Sequence, residues 1–155
     1  MAARLLRLAV SILLAASLLA LALLYGYAIF FGGFAVVEGR SMEPLLHTGD
    51  LVFLDKRGQP DVGSVVVYKD KSGRFIIHRV IGVYEYSNIT CYVIKGDNNS
   101  IPDYGYPDIC RRPYRVGPYS AYGVPESRIV GVVISLGDSP VKIPYLGGLT
   151  ILYKG

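Results

Sequence analysis

The sequence predicts a mostly-β fold: one N-terminal transmembrane helix followed by a compact domain of short, bent antiparallel strands. Three observations carry that prediction. The run from Leu8 to Val37 holds no charged residue. The remainder breaks into short segments rich in β-branched and aromatic residues, separated by Gly, Pro and Asp turns. No amphipathic helical period occurs past the apolar run. The expected division is a membrane anchor over residues 1–36 and an extracytoplasmic catalytic β domain over residues 37–155.

A bilayer core about 30 Å thick needs about 20 apolar helical residues, so the run is long enough to span it. Arg4 and Arg7 precede the run and little positive charge follows directly, which predicts a cytoplasmic N-terminus and a single pass through the cell membrane. Tyr25, Tyr27, Phe30 and Phe31 would sit near the outer interface, where amphipathic rings are favoured. Ala20-Leu21-Ala22 imitates a signal-peptide cleavage site, but the run is too long for an h-region, and cutting there would leave another apolar stretch at the new terminus. A retained anchor is the better reading.

The 155 residues carry a formal charge of +4, dispersed over Lys56-Arg57, Lys69, Lys71 and Arg111-Arg112. No basic stripe with interleaved aromatics stands out, so nucleic acid is not an expected partner. Beyond the anchor, strands are expected at Leu51–Asp55, Ser64–Lys69, Arg74–Val83, Thr90–Lys95 and Ser127–Leu136. The region from Ile101 to Pro125, dense in Pro, Gly and Tyr, reads as one long ordered loop.

Two cysteines, Cys91 and Cys110, lack CxxC spacing and a histidine cluster, which argues against a zinc site. Outside the membrane a disulfide between them is permitted, and is favoured over two buried thiols. Asn88-Ile89-Thr90 is a glycosylation sequon, meaningful if this segment is extracytoplasmic.

The residues with chemical potential are few. There are two histidines, His47 in a turn and His78 in "RFIIHRVIG", where Ile76 and Val80 share its strand face. On that pattern alone His78 is a packed core residue. "KGDNNSIPD" holds Asp97 and Asp103; by itself it is a tight turn, and it lacks the glycine and glutamate spacing of an EF-hand calcium loop. Ser41 stands in "VEGRSMEPLLHTGDLVFLDK", Val37 to Lys56, where a lone serine is ordinarily uninformative.

Their order is more specific than any one of them. Ser41 in "GRSMEP", His78 in "IIHRVIG" and then "GDNNSIPD", all behind an anchor, resemble the type I signal peptidases of the archaeal and endoplasmic-reticulum branch. In that family the nucleophile lies in a Ser-Met-x-Pro motif, matched by Ser41, Met42 and Pro44. Bacterial members place a lysine where this branch, and this chain at His78, has histidine. The resemblance runs from the anchor to Pro144–Leu152. It implies a membrane-bound serine endopeptidase without metal or cofactor that cleaves signal peptides from exported preproteins.

The resemblance further implies Ser41 as nucleophile, His78 as general base and Asp103 as the carboxylate that orients it. Asp97 would be a supporting carboxylate acting through Arg79; since both acids lie on one turn, the choice between them stays open. Many relatives have a serine two residues before the nucleophile; this chain has Gly39, so the oxyanion hole would rest on the Ser41 N–H, with Gly39, Met42 and Pro44 shaping the substrate approach. Signal peptides, the lipid bilayer and the protein-translocation machinery are the implied partners. The chain stops at Gly155, so no second anchor is expected.

Two other readings compete. A lysine base, Lys69 or Lys71, would need desolvation that a polar Gly/Asp turn supplies poorly. An anchored β module that only binds peptides would keep the Ser, His and Asp side chains apart.

Overall fold

The computed structural model describes residues 2–30 and 32–148. Phe31, the side chain of Phe30 and the 149–152 stretch named above therefore lie outside the described residues. The chain forms two compact units, residues 1–33 and 34–155.

In the first, α1 spans Ala2–Phe30, a 29-residue helix. At about 1.5 Å of rise per residue it exceeds the hydrocarbon thickness of a bilayer. Its window Arg4–Tyr27 has a mean hydropathy of 2.5, and its leucines and Tyr25 are exposed. Among the described residues it is the one helix long and apolar enough to cross a membrane. An apolar surface on all sides suits lipid, not the flank of a soluble core.

The helix is shorter than the apolar run. Gly32 and Gly33 adopt φ of 96° and 140°, which residues with a Cβ avoid, and the chain passes there into a strand, β1, Gly32–Val36. The apolar residues after the helix are thus strand residues, not an extension of the anchor.

In the second unit β2 is Leu51–Asp55, β3 Val65–Lys69, β4 Phe75–Tyr86 and β5 Ile89–Lys95. Then come β6 Tyr114–Val116, β7 Tyr119–Ala121, β8 Val124–Pro125 and β9 Ile129–Val133. Three two-residue strands close the series: β10 Ser135–Leu136, β11 Ser139–Pro140 and β12 Lys142–Ile143. Among the described residues the main sheet has the order β1-β2-β9-β3-β4-β5-β8, with β12 added to β2. The β2–β9, β9–β3, β3–β4, β4–β5 and β5–β8 pairings are antiparallel.

Leu51–Asp55 is met as expected, and the next three expected segments lie in this sheet with ends shifted by one to three residues. Ser127–Leu136 instead divides into a short 3-10 turn at Glu126–Arg128, β9 in this sheet, and β10, which pairs with β11 apart from it. The region Ile101–Pro125, expected as one loop, instead contains the β6–β7 hairpin, closed by Gly117 at φ 54° and Pro118, and ends in β8. Three-residue strands are too short to show an alternation in sequence.

Alternation along β3 and β4 sorts side chains into two cores. Val65, Val67 and Ile77 join Val37, Met42, Leu46, Val52, Leu54 and Val133. Val66, Tyr68, Ile76 and Val80 join Tyr92, Ile94, Tyr106 and Val124. A third cluster surrounds Tyr84 and the disulfide between Cys91 and Cys110, which ties the 101–125 segment to β5. Asn88 sits exposed at the β4–β5 turn with φ 62°.

Breaking the disulfide should cost about 3 kcal/mol, because it closes a loop with a separation of 19 residues. In a domain of this size that lowers the thermal midpoint on the order of 10 °C. Calorimetry of a Cys91→Ser, Cys110→Ser variant in detergent checks it; an unchanged midpoint would remove the cross-link from the stability account.

Candidate active site

His78 lies within β4 and pairs with Val66 of β3. Strand period places it with Ile76 and Val80 on the face of the second core, and it is 7% exposed. A buried imidazole needs partners for its nitrogens. Nδ1 lies 2.7 Å from Asp103 Oδ2, and the Tyr68 hydroxyl donates to the same oxygen at 2.9 Å. Asp103 is itself placed by its backbone N–H, which donates to Ile94 O at 2.9 Å. Burial, then the Asp103 charge, push the Tyr68 phenol well above its ordinary value, so it acts as a donor.

Arg79, the next residue, faces the other way. Its guanidinium makes a two-pronged contact with Asp97, Nε to Oδ1 at 2.8 Å and Nη2 to Oδ2 at 2.7 Å, and Nη1 donates to Gly63 O. The Asp97 hydrogen bonds outweigh desolvation and raise the guanidinium further above its ordinary value. The two aspartates, on one turn in sequence, thus have different partners: Asp103 holds the histidine, and Asp97 the arginine.

The loop from Val37 to Asp50 carries Ser41. Gly39 takes φ 98°, and Thr48 Oγ1 bonds both its N–H and its carbonyl. Met42 and Leu46 are 1% and 0% exposed and pin the loop into the first core. Met42 therefore touches core side chains, whereas Pro44, behind a cis peptide, is exposed.

Asp50 ends this loop with a buried carboxylate. It accepts from His47 N–H at 3.0 Å, Tyr145 N–H at 3.3 Å and Lys142 Nζ at 2.7 Å, and Lys142 also donates to Leu45 O. Burial alone would raise its pKa, but Lys142 and the two backbone donors prevail and hold it below the ordinary carboxylate value. Sequence reasoning missed both residues. Asp50 reads as half of a Gly-Asp turn, and Lys142 carries no local signal because its contacts lie 92 and 97 positions away.

Ser41 is half-buried. Its carbonyl accepts the Asn98 N–H at 2.8 Å, and Asn98 Nδ2 donates to Arg40 O. Gly96 passes so close that a Cβ there would sit 2.7 Å from Ser41 O. Since Lys95, the last residue of β5, pairs with Arg79, Gly96 is the first step beyond that strand, toward the row of His78. The Ser41 backbone thus rests on the start of the segment that carries Asp103. No hydrogen bond joins Ser41 Oγ to His78 among the described residues.

A cleft of about 450 Å³ opens beside His78 and Asp103, bordered by Tyr68, Ile76, Tyr104 and Tyr106. The larger depression, about 480 Å³, surrounds Arg79 and Asp55 and lacks the histidine. His78 and Asp103 thus line the smaller one, and Ser41 lines neither. Lys71, one alternative base, is half-exposed and paired with Asp108 at 2.7 Å; Lys69 is exposed at the strand end. Neither is desolvated.

Comparison with known proteins bears on this arrangement. Residues 8–84 match the family described as "Signal peptidase, peptidase S26". The chain is 35% identical over 136 residues to the signal peptidase complex catalytic subunit sec11 of Schizosaccharomyces pombe, covering 75% of this chain and 64% of that protein. It is 34% identical over 119 residues to SEC11 of Yarrowia lipolytica, covering 76% and 60%. With human SEC11C the match is 42% over 74 residues, 45% of this chain and 38% of that protein. The chain thus spans less than two thirds of the length of these relatives.

Lys142→Met should destabilise the protein by roughly 3–5 kcal/mol, because it strands a buried carboxylate. Asp50 is depressed in the folded state, so its contribution is complete above the unfolded value near 3.9 and fades as pH falls through the folded one. Without Lys142 that folded value rises, and acid unfolding should begin at higher pH. Denaturant curves across pH 3–7 read both effects; an unmoved acid limb would dissociate Asp50 from Lys142.

Proposed function

We propose, for a chain that belongs to the signal peptidase family, peptidase S26, that it is a membrane-held serine endopeptidase cleaving signal peptides from exported preproteins. The observation that carries this reading is the 2.7 Å contact of His78 Nδ1 with Asp103 Oδ2, in a domain whose Ser41 loop packs on the segment leading to Asp103.

The chemistry follows from that contact. A carboxylate accepts, so Nδ1 carries the hydrogen and Nε2 is the basic nitrogen. Ser41 Oγ attacks the scissile carbonyl carbon as its proton passes to His78 Nε2. When the C–N bond breaks, that proton goes to the leaving amine. A water, deprotonated by the same nitrogen, then attacks the acyl carbon, and that proton returns to Ser41 Oγ as the ester bond breaks. Asp103 stabilises the imidazolium in both steps. The Ser41 N–H is the nearest candidate donor to the developing oxyanion, and one such donor contributes roughly 3 kcal/mol. Gly39, with nothing within 4 Å of where its Cβ would be, leaves room for a substrate backbone. This sequence needs no metal or cofactor.

Asp97 supports the loop through Arg79 and takes no proton in this scheme. An extended substrate along a strand edge, with small residues next to the cut, fits the family. Both enzyme and substrate are confined to one bilayer, which raises their effective concentration. Arg4 and Arg7 orient the anchor with its N-terminus cytoplasmic in the cell membrane, leaving the catalytic domain outside. The Cys91–Cys110 disulfide and the exposed Asn88 sequon suit that side. The named relatives are subunits of a signal peptidase complex, and by extension this chain would work beside the translocation machinery.

Cleavage of a preprotein in detergent tests the scheme. Ser41→Ala and His78→Ala should each lower kcat at least about 10³-fold, and Asp103→Asn by about 10⁴-fold. Asp97→Asn should mainly reduce stability, and reductive methylation of surface lysines should leave the rate intact. Wild-type turnover by His78→Ala would defeat the scheme.

A further inference from the structure

We propose that Tyr68 is a positioning residue of this relay: by donating to Asp103 Oδ2, its phenol fixes the carboxylate and draws off part of the charge that His78 would otherwise face alone. The proposal rests on the Ser41–His78–Asp103 reading above.

The placement follows from the ladder. Val66 pairs with His78 and Tyr68 with Ile76, so Tyr68 and His78 lie diagonally on one face of adjacent strands. Asp103 arrives over that face from the loop after β5 and meets both. Two donors on one oxygen are within its capacity, since it has two lone pairs. Tyr68 is 5% exposed, and a phenylalanine ring would fill the same space, so packing does not demand the hydroxyl. The other tyrosines of the cleft do something else: Tyr106 donates to the backbone carbonyl of Lys69, and Tyr104 is 76% exposed.

Removing the phenol hydroxyl has two consequences. Oδ2 keeps one donor, so more of its charge faces Nδ1–H, the bond to His78 strengthens, and the imidazolium persists to higher pH. The carboxylate also loses the contact that resists rotation. The remaining charged groups at the cleft are Asp70, Lys71 and Arg74, from the turn between β3 and β4. Asp70 pairs with Arg74 and Lys71 with Asp108, and none of these pairs changes between the variants below.

The experiment uses the full chain in detergent, with ¹⁵N-labelled histidine, as wild type, Tyr68→Phe and Tyr106→Phe; His78→Gln assigns the signal. In Tyr68→Phe the His78 Nδ1–H resonance should move downfield. The acid limb of kcat/KM should rise by about half a pH unit, and kcat should fall on the order of tenfold. Tyr106→Phe, which loses a hydrogen bond in the same cleft, should leave resonance and limb in place. The proposal is overturned if Tyr68→Phe leaves both in place, or if Tyr106→Phe moves them equally. A chain that cleaves no signal peptide yet shows the downfield move would sink the peptidase reading and keep the Tyr68 linkage.

Discussion

The two-residue period of a single strand organises this domain. His78 and Arg79 are consecutive on β4, so they leave the sheet on opposite faces. One holds Asp103 and the other Asp97. The segment between those acids is thereby gripped at both ends, and its first residue, Asn98, hydrogen-bonds the backbone of Arg40 and Ser41. A slip of one residue in β4 would exchange the faces and undo every one of these contacts. The register is protected by the apolar neighbours: Ile77 belongs to one core, and Ile76 and Val80 to the other.

Charge is taken out of water here only where it is met. Asp50, at 1% exposure, receives Lys142 and two backbone N–H groups. Arg79 is answered by a bidentate carboxylate. Among the described residues no buried side-chain nitrogen or oxygen is left without a hydrogen bond. Such networks cost more to break than they contribute as a whole, which makes them devices of geometry more than of stability. Asp50 and Lys142 fix the far end of the Ser41 loop, while Met42 and Leu46 hold it from below.

Much of this was legible in the sequence, for identifiable reasons. The β2–β5 and β9 segments have enough alternating apolar residues to be read as strands, and the apolar run is unmistakable by length. The order of "GRSMEP", "IIHRVIG" and "GDNNSIPD" points to His78 and Asp103, which the fold brings into contact, and to Asp97, which pairs with Arg79. What escaped was either too short or too distant. The strand Gly32–Val36 was hidden within the apolar run, and the 114–121 hairpin offers only three residues per strand. Tyr68 looked like one more apolar residue of β3, because its hydroxyl finds its partner 35 positions later. No local pattern encodes such a pairing; only the folded ladder brings it about.

Gly96 is where these separate devices meet. The Ser41 loop is anchored in the first core, and His78 faces the second. The Ser41 loop meets the segment that leads to Asp103 over Gly96, where a Cβ would lie 2.7 Å from Ser41 O and 2.8 Å from Asn99 Nδ2. Its φ lies outside the left-handed region, so the demand is for room and not for an unusual conformation. Even alanine would push the Ser41 backbone away from the segment that ends in Asp103, although both of its immediate neighbours, Lys95 and Asp97, could keep their partners. The missing methyl group at this position is thus a geometric condition for the Ser41 backbone to rest on the segment that ends in Asp103.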